Sequence, residues 1–331
     1  MTEITIIGGG VAGLCVAREL RDRGAELRVI DRHDGIGPHQ CSWWAGGMLA
    51  PFCEGESAEE PVIRLGQEAA AWWKAKTGCV TQKGSLVVAA RRDVADLSRF
   101  ARRTNNFREV TGTEIAELEP DLGTRFTRGL FFESEAHLTP RVALKTLRDG
   151  LVAEGVAFEI AEANPKTVSN KGIIVDCRGF SARDALPDLR GVKGEMLVLS
   201  CPEVTLNRPI RLLHPRIPLY IVPRGDGVFM LGATMIESSA TTNVTARALL
   251  ELLSAAYALN PAFGEAEVLE IGVDARPAFP DNLPRIRKDG NVITANGLYR
   301  HGFLLAPALG RMVAELVFDN TQPEVMDEAA A

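Results

Sequence analysis

The chain has no excess of basic residues, no long apolar run and no paired-cysteine spacing. Each absence removes a class of function. Its 37 Lys and Arg against 43 Asp and Glu leave a formal net charge of −6, which offers no electrostatic footprint to nucleic acid or to an anionic membrane. No apolar stretch approaches the roughly 18 residues needed to span a bilayer. A strand-like run begins within three residues of Met1, leaving no room for a signal peptide, so a cytoplasmic protein is expected. The cysteines (Cys15, Cys41, Cys53, Cys79, Cys177, Cys201) form no C-x-x-C or metal-ligand pattern. His39 and His214 also stand outside ligand spacing, so no metal is expected and the thiols read as reduced. Neither repeats nor low-complexity segments occur. With 331 residues, 46% apolar and 24% charged, the chain is long enough for about two domains with a sizeable core.

What is present is concentrated at the start. The β-branched run Ile4-Thr5-Ile6-Ile7 leads directly into Gly8-Gly9-Gly10-Val11-Ala12-Gly13. A helical pattern from Leu14 to Arg23 follows, then Gly24 at its end and a second strand, Leu27 to Asp31. This is G-x-G-x-x-G in the strand–turn–helix context that dinucleotide binding requires. Gly8 serves the tight turn, Gly10 the close approach of a pyrophosphate, and Gly13 the packing of helix on sheet. The helix N-terminus offers N–H groups to the anion. Asp31 follows Gly13 by 18 residues, near the usual spacing of about 20 for the acid that binds the ribose diol.

The remaining pattern predicts an α/β (α+β) protein: a Rossmann-like dinucleotide domain with an interleaved, mostly antiparallel β-sheet domain for substrate. The first is expected over 1–84, about 140–190 and 285–320. The second is expected over about 85–139 and 191–284, with 321–331 a tail whose end, 326–331, is expected to fray. Helices are expected over 62–76, 93–103, 113–118, 139–155, 246–257 and 304–318. Strands are expected over 85–90, 129–133, 157–161, 172–177, 195–199, 219–223, 228–233, 268–275 and 292–295, with a hairpin turn at Gly225-Asp226-Gly227. The strand 172–177 returns the chain to the dinucleotide sheet through Arg178 and Gly179.

The glycine motif alone does not separate NAD from FAD. Two later segments do. Ala45-Gly46-Gly47-Met48-Leu49-Ala50-Pro51 is a small-residue loop on which a flat ring can lie against backbone. Asn296 to Pro307 is a strand–loop–helix unit whose helix N-terminus would direct partial positive charge at a reduced flavin's polar edge. With these segments, and with Y-I-V-P-R (Tyr220–Arg224), G-A-T-M (Gly232–Met235), A-R-P (Ala275–Pro277) and G-L-Y-R-H-G-F-L-L-A-P (Gly297–Pro307), the chain resembles the glycine oxidase branch of the D-amino-acid oxidase-like flavoenzymes. The matches fall in family order from Gly8 to Pro307.

The resemblance implies non-covalent FAD. It places Val11, Ala12, Asp31 and Arg32 on the ADP half, and Cys41, Ser42, Gly46, Gly47 and Met48 beside the pyrophosphate and flavin. Ala163 falls at the adenine and Gly179 joins the cofactor set. Leu298, Tyr299, Arg300, His301, Gly302, Phe303 and Leu304 fall over the flavin's polar edge. On the substrate side it places Tyr220, Met235, Arg276 and Arg300. The chain departs from the pattern at Asp31 (more usually glutamate), at Trp43-Trp44 (usually small), at Pro218 (histidine in some relatives) and in a short 163–172 segment. Pro218 and the tryptophans bear on pocket shape and so on substrate choice.

For chemistry, Arg276 is the expected carboxylate fork, since a guanidinium binds bidentately where lysine does not. It is expected to follow the strand 268–275, before Pro277. Tyr220 would donate to the same carboxylate. No side chain is assigned as general acid or base, His301 included, because the resemblance implies hydride transfer to flavin N5 without one. It further implies glycine or another small amino acid as donor, dioxygen as acceptor, and imine or glyoxylate, ammonia and hydrogen peroxide as products. The imine would serve thiazole synthase in thiamine biosynthesis. Homo-oligomerisation and direct hand-off stay open. Two other readings remain: a sarcosine, D-amino acid or proline oxidase or dehydrogenase passing electrons to a quinone, and a non-catalytic nucleotide-binding regulator.

Overall fold

The computed structural model describes residues 3–168, 172–214 and 219–327. Pro218 and the last four residues lie outside them. Ile4–Ile7 is fully buried at the centre of a six-stranded sheet. Its order is Arg285–Asp289, Val292–Asn296, Ile173–Asp176, Ile4–Ile7, Leu27–Asp31, Ala157–Ile160. The strands pair in parallel except at the Arg285–Asp289 edge, which is antiparallel. The helices Val11–Asp22, Pro140–Ala153 and Gly302–Phe318 pack with Ile4, Ile6, Val29 and Val175 into the largest core.

Helix Gly302–Phe318 is buried over most of its surface yet contains Pro307. A proline inside a helix removes the N–H that would bond the carbonyl four residues back. Here that carbonyl belongs to Phe303, and the fully buried Trp73 donates its indole N–H to it at 2.8 Å. A helix from a different part of the chain thus satisfies the acceptor that Pro307 orphans.

The second sheet is nine-stranded and mostly antiparallel. Its main path runs Ile236–Glu237, Arg190–Ser200, Val228–Gly232, Leu219–Gly225, Ile210–Leu213, Ser85–Ala89, Arg128–Phe132, Arg108–Thr111, and Glu267–Ala278 pairs along the whole of Arg190–Ser200. One parallel pair, Ile210–Leu213 with Ser85–Ala89, interrupts the antiparallel order. A small third sheet brings Ala136–Leu138 against Met48–Leu49 and Val80–Thr81. No helix of the described residues is long and apolar enough to cross a membrane.

Three expectations change. The single helix over 62–76 is two helices, Glu60–Gly66 and Ala69–Thr77. The first ends where Gly66 lies against Leu304, so close that a Cβ would sit 2.7 Å from that side chain. The strand 268–275 continues to Ala278, so Arg276 and Pro277 are strand residues, registered with Val192 and Gly191. Proline is tolerated there because the strand is at an edge. The tail is laid against Arg285–Asp289 as far as Asp327, which includes the first two residues expected to fray. Ile286 donates to the Val325 carbonyl, and Asp327 donates back to Ile286.

Trp73→Phe is expected to lower unfolding stability by about 1–3 kcal/mol, the cost of a buried carbonyl left unbonded. In a Pro307→Ala background, which restores the helical N–H, the same substitution should cost measurably less. Urea unfolding of the four proteins in the double-mutant cycle reads the difference.

Candidate active site

The two large sheets face a cavity of about 1090 Å³. Of the residues expected at a cofactor or substrate, all except Gly13 line it. Gly13 does the packing work instead: a Cβ there would lie 1.8 Å from the Gly8 carbonyl oxygen, so only glycine lets the helix close on the turn. Gly8 has φ +104°, and a Cβ on it would meet the Cys177 carbonyl at 2.5 Å. Gly10 is different, because its Cβ position meets nothing nearer than Ser42 Oγ at 3.4 Å. That open space is on the cavity side, at the N-terminus of helix Val11–Asp22, where a ligand can approach backbone. Ser42 Oγ accepts from the Val11 N–H at 3.0 Å. Asp31 accepts from Gly9 at 2.5 Å and from His33 at 3.1 Å, and its own carbonyl accepts from Ala161, which brings the Ala163 segment alongside. Gln40 Oε1 lines this region buried and without a hydrogen-bond partner. These features fit a dinucleotide laid across the ends of the parallel strands.

Of the residues expected on the substrate side, Tyr220 and Arg276 stand in strands of the second sheet, Met235 in the loop between two of its strands, and Arg300 in the loop after Val292–Asn296. The Tyr220 ring lies between two glycine backbones: a Cβ on Gly232 would sit 2.3 Å from its hydroxyl, and one on Gly46 would sit 2.8 Å from its ring. The Arg276 guanidinium lies across Gly194, where a Cβ would meet Nη2 at 2.2 Å, and Nη1 donates to the Thr234 carbonyl at 3.1 Å. Thr234 is fixed in turn, since its hydroxyl donates to Glu195 Oε2 at 3.1 Å and accepts from the Glu195 N–H at 2.9 Å. Lys193 Nζ sits 2.9 Å from the Glu195 carboxylate. Among the described residues Arg276 makes no ion pair within 4 Å. Its chain neighbour Asp274 instead accepts from the Ala275 N–H at 2.7 Å, and burial pushes its carboxyl up to about 6 despite that bond and the nearby Arg276.

The loop Leu298–His301 is tied to the Arg276 strand by the Tyr299 N–H, which donates to the Pro277 carbonyl at 2.9 Å. Tyr299 has φ +51°, a left-handed conformation uncommon for a bulky residue. Tyr299 Oη and Arg300 Nη1 both approach the half-exposed Met235 sulfur, at 3.6 and 3.5 Å. Arg300 is engaged elsewhere too, 2.9 Å from Glu54 Oε2 and 2.6 Å from Ser57 Oγ. His301 is buried, and burial pushes it down to about 4 despite Glu54, so it is neutral near pH 7.

Several residues at this site carried no signal in the sequence reading. Arg211 donates to Glu54 Oε1 at 2.6 Å from a short strand, Ile210–Leu213, that pattern reading did not find. Arg224 donates to the carbonyls of Ala45, Gly46 and Leu138, clamping the small-residue loop from behind. Glu135, buried beneath the turn that carries Glu54, accepts from the Cys53 N–H at 2.8 Å. Burial pushes its carboxyl up to about 7. Only the motif Y-I-V-P-R, which contains Arg224, could have flagged any of them. Of the paired tryptophans, Trp44 lines the cavity and Trp43 does not. The Arg141 guanidinium stacks over Trp43 at 4.0 Å while it forks onto Glu270, and the Trp44 ring lies on Gly272. Pro218 lies outside the described residues.

Residues 3–316 match the family model described as FAD dependent oxidoreductase, DAO. A protein of Rhizobium etli described as the thiamine biosynthesis oxidoreductase ThiO is 51% identical over 324 residues, covering 97% of this chain and 98% of that one. A bifunctional ThiO/ThiG protein of a Nostoc species is 29% identical over 348 residues, covering 96% of this chain and 53% of that longer protein. Among solved structures, glycine oxidase from Geobacillus kaustophilus superposes with a TM-score of 0.81 at 22% identity over 98% of this chain and 97% of its own.

The Glu135 carboxyl is bound to a single N–H and raised to about 7. The fold therefore favours its protonated form. The stability this confers is complete below the ordinary carboxylate value near 4.3 and is lost as pH rises through about 7, a difference of about 3 kcal/mol. Glu135→Gln should remove that dependence. Its melting temperature should exceed the parent's at pH 8 and converge with it near pH 4.5, as read by thermal unfolding at both pH values.

Proposed function

The chain belongs to the DAO family of FAD-dependent oxidoreductases, and from that premise we propose that it oxidises glycine, or another small amino acid, to the imine. The observation that carries this reading is the uncommitted guanidinium of Arg276 at the cavity beside the Tyr220 hydroxyl. An amino acid's carboxylate is the group that a free fork and a phenol would jointly bind. Gly194 and the Thr234 carbonyl hold the fork in one orientation before substrate arrives, so little entropy is lost on binding.

FAD would be held by the turn Gly8–Gly13, by Asp31, Ser42, Ala163 and Gly179, and by the loops at Gly46–Met48 and Leu298–Leu304. When bound, FAD supplies the two-electron acceptor for the hydride leaving Cα. Burial pushes the Cys41 thiol up to about 12, and Cys177 is raised as well. Neither lining cysteine offers a thiolate, which supports non-covalent holding.

No chain residue is needed as a base. His301 is neutral but faces Glu54 at 3.6 Å and the Arg300 guanidinium. The chain's task is to bind the carboxylate, orient Cα and exclude bulk water. Dioxygen is the proposed terminal acceptor, giving hydrogen peroxide. The Rhizobium etli and Nostoc relatives support the further step, in which the imine feeds thiazole formation in thiamine biosynthesis rather than only hydrolysing to glyoxylate and ammonia.

Arg276→Ala should raise KM for glycine about tenfold to a hundredfold, the value of a charge-assisted pair, with the visible flavin spectrum retained. Gly194→Ala, which forces the guanidinium off its platform, should raise KM several-fold with a smaller effect on kcat. Steady-state peroxide assays with glycine, sarcosine, D-alanine and D-proline check both. An unchanged KM in Arg276→Ala removes that residue from the site, and reduction of a quinone analogue without peroxide replaces the oxidase reading by a dehydrogenase.

A further inference from the structure

Glu54 ends the short helix Pro51–Glu54, lines the cavity and is nearly buried, at 13% side-chain exposure. Three potential cations converge on it. Arg211 Nη2 is 2.6 Å from Oε1, Arg300 Nη2 is 2.9 Å from Oε2, and His301 Nδ1 is 3.6 Å from the same oxygen. Burial would raise this carboxyl, but the two guanidiniums overcome burial and hold it well below the usual range. It stays ionised at any working pH. Each arginine meets it through Nη2 alone; the other nitrogens of Arg300 face His301 and Met235, while Arg211 Nε is left buried without a hydrogen-bond partner. The charge around Tyr220 is therefore divided: Arg276 is uncommitted, while the Glu54–Arg211 pair is closed on itself.

We propose that Glu54 sets the charge class of the substrate, admitting amines with one carboxylate and rejecting those with a second anionic group. The inference rests on the reading of Arg276 as the carboxylate fork. With Glu54 present, a second carboxylate brought near Arg211 or Arg300 meets a fixed negative charge that already engages Nη2 of each guanidinium. Like charges brought together in a water-poor cavity are strongly disfavoured, and specificity gained this way does not require a clash of shape. Without Glu54, the same two guanidiniums become a dianion's second anchor.

The test titrates acetate and malonate, which are not oxidised, into the FAD-loaded protein at fixed pH and ionic strength, and follows perturbation of the visible spectrum. A purely structural Glu54 would weaken both ligands together, so the readout is the ratio of their affinities. Glu54→Gln should raise malonate affinity relative to acetate at least tenfold and should lower KM for iminodiacetate relative to glycine. Arg211→Gln, which leaves Glu54 facing one arginine, should shift the ratio the other way at least threefold, and it serves alone where Glu54→Gln does not retain FAD. A ratio within twofold of the parent in either variant, or a shift of the opposite sign, overturns the proposal. Arg276→Ala separates the two readings. Loss of acetate binding there upholds the fork, whereas retained acetate binding removes the fork even if the Glu54 ratio moves as expected.

Discussion

The site depends on keeping one guanidinium unpaired in a region where carboxylates are plentiful. Arg276 sits in a strand that also carries Glu270 and Asp274, and the paired strand carries Glu195. Each of these acids is disposed of locally. Glu270 is forked by Arg141, Glu195 is held by Lys193, and Asp274 accepts from the Ala275 N–H beside it. Glu54 is consumed by Arg211 and Arg300. A buried ion pair contributes little net stability, because desolvation offsets attraction. These pairs leave Arg276 without an ion pair among the described residues, which is what the proposed carboxylate fork requires.

Geometry for that cation comes from chain segments far apart in sequence. Gly194 provides the platform, Thr234 the acceptor and Pro277 the carbonyl that ties in the Leu298–His301 loop. That loop opens into helix Gly302–Phe318, whose interior proline is made tolerable by Trp73. Arg224 grips the backbone of the Ala45–Gly46 loop from the second sheet, so the small-residue loop is tied to the strand that carries the Tyr220 ring lying on it. The interleaving of the chain is thus functional. Parallel strands ending at a crevice present backbone and helix termini to a dinucleotide, and the antiparallel sheet brings side chains with charge to the opposite wall.

Much of the first wall was legible from residues alone. Gly8, Gly10, Gly13 and Asp31 are local in sequence, and a turn that needs a positive φ or a missing Cβ accepts little besides glycine. The reading of A-G-G-M and G-L-Y-R-H-G as backbone surfaces had the same basis. Arg276 and Tyr220 were named through resemblance to a family rather than through periodicity, and both line the cavity. The sequence could not show what occupies the other cations. Arg300 reads as a loop arginine until Glu54, 246 positions away, is seen beside it. Arg211 lies in a four-residue strand too short to show a pattern.

By itself the sequence determined the class of fold and the dinucleotide turn, because these follow from φ/ψ limits, Cβ volume and strand or helix period, all of which act over a few neighbouring residues. Tertiary structure alone decided which arginine is free and which are spent, where Glu135 and His301 titrate, and that Arg276 stands inside a strand. Burial and ion pairing are properties of what surrounds a group in space, and here the surroundings are drawn from opposite ends of the chain.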